Sequence, residues 1–259
     1  MGFGRGNKDA SATAVEDGSA WIVNNLFADF VLMNTQETLY MCMIGYTFLH
    51  GCKVFASVDK AASTSFKFVA MMMACTGGGI IVPIFLNIVP VPLANDSYPI
   101  AILISFLLHL YFPILREVVG LSGIVKALLV VLYEALRALV VIKLTYAAGT
   151  IIPASCFSFP VFGPIICGAI AGCGGAFLPF NKGLDPIKNG LAAPMVTALM
   201  ASTCFHLFTH TSLSDGVVDA KNKAHVHIAF FFIVSGLVTA FKLRTRSQTA
   251  VVSKVKKEN

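Results

Sequence analysis

The sequence predicts an all-α membrane protein with seven transmembrane helices, built as two inverted three-helix repeats followed by a seventh helix. The composition excludes an ordinary soluble domain, because 56% of the 259 residues are hydrophobic and 12% are charged, against about 25% charged residues in soluble domains. Mean hydropathy is +0.79. Seven apolar stretches approach the length of about 20 residues that a spanning helix requires, and a glycine motif occurs once in each half of the chain.

The predicted spans divide the chain into a short polar segment, one membrane domain and a basic tail. They lie near residues 27–50, 66–88, 98–115, 121–146, 160–179, 190–211 and 225–241. The membrane domain covers 25–243, the polar segment 1–24 and the tail 244–259. Residues 1–20 lack an apolar core, so we expect no cleaved signal peptide and a targeting role for the first span. The first and fourth spans are the least apolar, since they contain Asp29, Asn34, Gln36 and Glu37, and Glu134, Arg137 and Lys143, respectively.

An internal duplication is indicated by motifs that recur in the same order. Gly-Gly-x-x-x-Pro begins at Gly78 and again at Gly174, an offset of 96 residues (174 − 78). Glu37 and Glu134 begin similar segments in the first and fourth spans, at an offset of 97 (134 − 37). The repeats are therefore placed at 25–117 and 121–212, with the seventh helix at 225–241. Because each repeat has three spans, the second enters the membrane in the opposite orientation, as in many transporters and some channels.

The repeated glycines predict kinks in the second and fifth transmembrane helices. Glycine and proline weaken a helix interior, and irregular backbone inside a bilayer is tolerated only where protein or a wet cavity surrounds it. Two such sites in matching positions point to a translocation path, whose waist would comprise Gly77, Gly78, Gly79, Gly172, Gly174 and Gly175. The alternative is close helix packing through small residues, and the sequence leaves both open.

The distribution of Lys and Arg predicts the orientation. With the C-terminus in the cytosol, thirteen of the nineteen Lys and Arg residues face the cytosol, four face the other side and two lie within the membrane. This asymmetry favours a lumenal N-terminus and a cytosolic C-terminus. The basic pI near 9.0 then reflects topology, and no nucleic-acid partner is predicted. Lys256 and Lys257 near the C-terminus match a dilysine signal for return to the endoplasmic reticulum, or form an ordinary basic tail.

Ionisable residues in the fourth span are candidates for function. Lys126, Tyr133 and Arg137 are spaced i, i+7 and i+11, which places them within about 20° of one another on a helix. This stripe could line an ion path or hold the anionic headgroup of a lipid. In a purely structural alternative, Arg137 pairs with Glu134 or with Glu37. Glu37 could also give an ion path its preference for cations.

No arrangement typical of an enzyme, cofactor site or metal centre is present. The sequence contains no Ser-His-Asp set, Walker loop or paired acids, and His109, His206 and His210 have no second-ligand spacing. The seven cysteines form no CxxC pair, so we interpret them as free thiols rather than metal ligands or disulfides.

Three segments resemble the trimeric intracellular cation channel family of the endoplasmic and sarcoplasmic reticulum. They are Tyr133-Glu134-Ala135-Leu136-Arg137, the glycine-rich run at 167–176 and Asn181-Lys182-Gly183-Leu184. The resemblance extends over roughly 25–243. It implies a homotrimer in which each subunit has its own potassium-permeable pore, supplying counter-ion current during calcium release and uptake.

The resemblance also implies a bound lipid of the phosphatidylinositol 4,5-bisphosphate type at a Lys-Glu-Val-x-Arg signature. Tyr133 stands at the lysine position of that signature, so Arg137 remains a candidate phosphate ligand and Lys126 a candidate substitute. The alternatives to a channel are a secondary transporter on a similar inverted repeat and a membrane scaffold that does not conduct.

Overall fold

The computed structural model describes residues 18–178 and 184–258, with side chains as far as residue 242. Residues 1–17 of the predicted polar segment, Asn181, Lys182 and Gly183 of the third resemblance segment, and the side chains of the basic tail lie outside the described part. Secondary structure in the described ranges is helical throughout. The helices are α1 (Leu26–Leu32), α2 (Gln36–Ser57), α3 (Thr64–Phe85), α4 (Val91–Ala94), α5 (Ser97–Tyr111), α6 (Ile114–Leu121), α7 (Gly123–Ile151), α8 (Phe162–Cys173), α9 (Ala193–His210) and α10 (Ala220–Glu258).

Each predicted span coincides with one of these helices or with a pair of them. The first span is divided between α1 and α2, because Met33 adopts a left-handed conformation (φ 54°) that ends α1. The third continues into α6, which is bent by 94° from α5. Pro113 is the N-cap residue of α6, and a proline disfavours helical backbone at the residue before it. The count of seven transmembrane helices stays a prediction.

Short side chains define where three of the long helices begin. The Oγ1 atom of Thr35 accepts the amide of Thr38 at the start of α2, Ser63 does the same for α3, and Ser122 for α7. These caps satisfy amides that have no partner within the helix, so the boundaries follow from local sequence.

Length and composition alone identify few of the helices as membrane-spanning. Within the described residues, α3 and the Ala220–Lys242 part of α10 pass such a test, and α5 with α6 would be a third if the bent pair is one span. The other predicted spans are shorter or contain polar side chains. In α7 several of these, including Glu134, Arg137 and Thr145, are buried within the protein. The chain is thus multi-pass, with polar groups turned inward in its central helix.

Helix α7 is the centre of the bundle. Its neighbours include α1, α2, α6, α8, α9 and α10. Ala135, Leu136, Ala138 and Val141 are fully buried along it. The small residues on this helix allow close approach of its neighbours, which is how one helix can contact most of the others.

Two buried histidines, one in each half of the chain, donate to backbone carbonyls. The Nε2–H group of His109 in α5 donates to the carbonyl of Phe48 at 2.9 Å, and that of His206 in α9 donates to the carbonyl of Pro160. Both histidines are almost fully buried, at 1% and 0% exposure. Each ring therefore has a structural role: His109 joins α5 to α2, and His206 joins α9 to the segment that precedes α8.

Candidate functional site

The two glycine motifs lie directly against each other where α3 meets the end of α8. A Cβ on Gly77 would lie 2.5 Å from the Cα of Gly175, and one on Gly78 would lie 2.7 Å from the Cα of Ala171. A Cβ on Gly174 would in turn lie 2.5 Å from the amide nitrogen of Gly78. Only a hydrogen atom fits at these positions, so the packing alternative accounts for these glycines.

The structure differs from the predicted pair of interrupted helices. Helix α3 stays helical through Gly77–Gly79 and Pro83, whereas α8 ends at Cys173 and continues as a 3₁₀ turn over Gly174–Phe177. An internal proline removes one backbone hydrogen bond, and Pro83 is buried within the protein, where such a defect is tolerated at membrane depth. Among the described residues, only the glycine motif of the second repeat coincides with a change from α-helix to 3₁₀ turn.

A cavity of about 300 Å³ lies beside this contact. Its walls come from both repeats: α2, α3, α4 and α5 on one side, α7, α8 and α9 on the other, with Gly78, Gly79, Gly172, Gly174 and Gly175 among the lining residues. A cavity of this size has room for several waters. The cavity therefore lies where the duplicated architecture predicts a translocation path.

One face of α2 provides the polar wall of the cavity. Tyr46, His50, Lys53 and Ser57 all line it, at helical spacings of four, three and four residues. The eleven residue steps from Tyr46 to Ser57 span about 16 Å along the helix axis, roughly half of the 30 Å hydrocarbon core of a bilayer. The cavity is thus deep enough to be a vestibule and shorter than a complete pore.

Two tyrosine rings are stacked at the Tyr46 end of this wall. The rings of Tyr46 and Tyr133 are parallel within 14°, with centroids 4.8 Å apart, and His50 contacts both. The Lys53 Nζ atom lies 5.1 Å from the centroid of Tyr133, within cation–π range. Tyr133, which replaces the lysine of the resembled signature, therefore has the ammonium group of Lys53 beside it.

The electrostatics of the cavity favour a negatively charged guest. Among the described lining residues, Lys53 carries a charge and none is acidic. The Nε2 atom of His50 is buried and finds no hydrogen-bond partner in the described part of the chain. Tyrosine hydroxyls, imidazole N–H and ammonium groups all donate hydrogen bonds, so the cavity offers several donors to an anion.

Arg137 does not project into this cavity as a ligand, because protein groups occupy it on every side. Its Nε atom donates to the carbonyl of Gly172 at 2.8 Å, and Nη1 donates to Glu134 at 2.8 Å. Its Nη2 atom donates to the carbonyl of Pro194 and to Thr197 Oγ1 at 3.1 Å. With 3% of its surface exposed and four of its five N–H donors used, Arg137 ties α7 to α8 and α9.

Helix α10 packs against the other side of Arg137 and Glu134. The guanidinium carbon of Arg137 lies 4.5 Å from the ring centroid of Phe232, and a Cβ on Gly236 would lie 2.6 Å from Glu134 Cγ. Arg137–Glu134 is the one ion pair within the described residues. Arg137 is therefore paired with Glu134, which is one of the two structural pairings considered from the sequence, and it is not paired with Glu37.

The structure does not bring the predicted stripe together at one site. Lys126 donates to the carbonyl of Ala240 in α10 at 3.1 Å, Tyr133 lines the cavity, and Arg137 is enclosed as described. Glu37 is exposed in the first turn of α2, so it does not neutralise Arg137. The interpretation of the sequence overlooked Tyr46, His50 and Lys53, although their spacing places them on one helix face.

We predict that Cys173, which lines the cavity, reacts with a small neutral thiol reagent and that the reaction reduces ion flux. Its thiol is partly exposed, whereas Cys75 on the same cavity is 7% exposed and should react more slowly. Ion flux before and after treatment measures the effect, with Cys173→Ser as the control. Equal inhibition of that variant would place the reactive thiol elsewhere.

No family model and no curated protein matches this chain. Several solved structures match its fold. A trimeric intracellular cation channel from C. elegans without Ca²⁺ aligns with a TM-score of 0.64 and 19% identity, over 82% of this chain and 94% of that chain. The same kind of channel with bound Ca²⁺ gives a TM-score of 0.62 and 17% identity, over 85% and 99%. A structure described as explaining conductance through TRIC cation channels gives 0.57 and 18%, over 85% and 95%.

These structures are described as cation channels. The alignments cover 82–85% of this chain and 94–99% of the solved chains. The chain therefore has the fold of the trimeric intracellular cation channels.

Proposed function

We propose that the chain is a channel for monovalent cations, potassium in particular, in the endoplasmic or sarcoplasmic reticulum. The observation that carries this proposal is the cavity between the two repeats, at the contact of the two glycine motifs. Solved structures with the same fold are described as cation channels. In this function the chain supplies counter-ion current when calcium crosses the same membrane.

The stacked rings of Tyr46 and Tyr133 form the gate of this path. Tyr46 is the lining residue of α2 farthest from Ser57, and its ring is stacked on Tyr133 of the opposite repeat. Ions that enter the vestibule pass toward the start of α2 only when these rings separate. Aromatic contacts of this kind contribute about 0.5–1.5 kcal/mol, a small barrier for a conformational change.

A phosphoinositide headgroup is the proposed occupant of the vestibule. A path lined by Lys53 without an acidic residue repels cations until an anion neutralises it, and the described donors suit phosphate oxygens. Lys53 thereby takes the role that the resembled signature gives to a lysine at position 133. Arg137 contributes by holding α8 and α9 around the site.

The proposed assembly is a homotrimer with one path in each subunit. The solved structures of this fold from C. elegans are described as trimeric. The lumenal N-terminus and cytosolic C-terminus remain the orientation that the charge asymmetry favours.

Reconstitution of the purified chain in a planar bilayer tests the function. Ohmic unitary potassium currents are the expected result. Flux that saturates at carrier rates without unitary events would indicate a secondary transporter, and the absence of flux would indicate a scaffold; either result contradicts the proposal.

We expect Lys53→Gln to lower the amount of phosphoinositide that co-purifies with the chain by about tenfold, because one charge-assisted hydrogen bond contributes about 1.5–3 kcal/mol. Lipid mass spectrometry of the purified protein measures this. Lys60→Gln is the matched control, since Lys60 is exposed and absent from the cavity lining. Equal lipid retention by the two variants would remove Lys53 from the site.

A further inference from the structure

The vestibule is open at one end and closed at the other. At the open end, the lining residues Lys53, Ser57 and Pro194 are exposed. At the opposite end, Gly79 is the last lining residue of α3 along the chain and Val140 is the last of α7. Gly79 is buried and Val140 is partly buried. An ion that enters at the open end is therefore stopped by protein at this inner end.

The short helix α4 covers the inner end of the vestibule. Val91 and Pro92 of α4 both line the cavity, and a Cβ on Gly79 would lie 3.2 Å from the Cβ of Val91. Pro92 is buried, whereas the next residue, Leu93, is 75% exposed. One face of α4 therefore closes the vestibule with apolar side chains, and the other faces away from the protein.

The backbone of α4 is bonded to its own segment rather than to the long helices. Within the described part of the chain, its hydrogen bonds are local, such as the one from the amide of Asn95 to the carbonyl of Val91 at 3.1 Å. Pro90 and Pro92 have no amide hydrogen to donate. Asn87, which lies between α3 and α4, adopts a left-handed conformation with a φ of 54°. The segment can thus move as a unit without breaking a backbone bond to another helix.

The glycine contact beside the vestibule is reciprocal. A Cβ on Gly78 would lie 2.7 Å from the Cα of Ala171, and a Cβ on Gly175 would lie 3.3 Å from the Cα of Ala74. These two contacts correspond at an offset of 97 residues (175 − 78 and 171 − 74). Reciprocal contacts are typical of a two-fold axis. Such an axis through the glycine contact relates one end of the vestibule to the other.

The two ends nevertheless differ in how the connecting segments cover them. The connection before α5 contributes Val91 to the inner end, where it packs on Gly79. The connection before α9 contributes Ala192 to the open end, where it is exposed. In an inverted repeat, closure at one end is relieved by moving the elements that close it.

We propose that α4 is a lid on the ion path and that Val91 is the residue that blocks it, so that conduction requires α4 to move away from Gly79. This inference rests on the proposed channel function. An apolar constriction stops ions because it excludes the water that hydrates them. The lid acts together with the stacked rings of Tyr46 and Tyr133, which line the same cavity from α2 and α7.

A reversible cross-link tests whether α4 must move. The Cβ positions of residues 79 and 91 are 3.2 Å apart, close to the separation of about 3.5–4.5 Å found in disulfides. The variant Gly79→Cys/Val91→Cys is made together with Cys75→Ser and Cys173→Ser, which removes the other cavity thiols. Potassium current in a planar bilayer should fall at least tenfold after oxidation and return on reduction, with mass spectrometry confirming the cross-link.

A single substitution with a matched control tests Val91 itself. Val91→Ala should raise the open probability several-fold, because a smaller side chain covers Gly79 less completely. Leu93→Ala changes the same short helix at an exposed position outside the cavity lining and should behave as the wild type. Thermal melts establish that each variant is folded.

The outcomes separate the lid from the channel function. Cross-linked protein that conducts as well as the reduced protein overturns the lid, and so do equal currents from Val91→Ala, Leu93→Ala and the wild type. If the double-cysteine variant is silent when reduced, the comparison of Val91→Ala with Leu93→Ala decides. A wild type without current contradicts the proposed channel function instead.

Discussion

Replacing Arg137 with methionine should lower the melting temperature of the purified chain by about 10 °C or more, because removal of one partner of a buried ion pair costs about 3–5 kcal/mol. The substitution leaves Glu134 buried without its cation. It also removes the donors to the carbonyls of Gly172 and Pro194. Helices α8 and α9 then lose the side chain that ties them to α7, and conduction should be lost with them.

A second substitution distinguishes this structural role from a direct role in lipid binding. In Arg137→Met/Glu134→Met no charge remains at the site, so part of the lost stability should return. Thermal unfolding of the wild type, both single variants and the double variant forms a double-mutant cycle. Lys60→Met is the control for loss of an exposed charge. If Arg137 acted only on a lipid phosphate, removing Glu134 would restore nothing.

The sequence was informative where the membrane itself constrains the chain. The apolar stretches locate the helices to within several residues at most boundaries, because backbone hydrogen bonding inside a bilayer leaves few alternatives. The repeated glycines also identified the helices that meet at the centre. These features depend on local composition and on periodicity.

The side-chain partners were harder to predict because they depend on how neighbouring helices are rotated. Arg137, Tyr133 and Lys126 share a face of α7, yet different helices cover that face along its length: α8 and α9 at Arg137, α2 at Tyr133, and α10 at Lys126. A stripe on a single helix contains no information about its neighbours. Tyr46, His50 and Lys53 form a stripe on α2 that faces the cavity. Their spacing is visible in the sequence, but this stripe contains no acidic residue that would mark it as a candidate site.

Replacing Gly78 with alanine should destabilise the chain, because the glycine contact between α3 and α8 has no room for a methyl group. Its Cβ would lie 2.7 Å from the Cα and carbonyl carbon of Ala171, and backbone atoms, unlike a flexible side chain, do not rotate away. Overpacking of this kind costs about 1–3 kcal/mol or more. We expect a melting temperature lower by about 5 °C and a loss of unitary current; Gly175→Ala, whose Cβ would overlap the carbonyl of Ala74, should behave alike.

Two matched substitutions separate packing from pore lining. Gly120→Ala in α6 meets nothing within 4 Å, so it should leave stability unchanged or raise it by about 0.5–1 kcal/mol, as alanine does in a helix. Gly79 lines the same cavity as Gly78. A Cβ at Gly79 would contact only the side chain of Val91, at 3.2 Å, which can shift. Gly79→Ala should therefore alter conductance while keeping most of the stability. Equal melting temperatures for Gly78→Ala and Gly120→Ala would contradict the close contact of the two repeats, and with it the position of the proposed path.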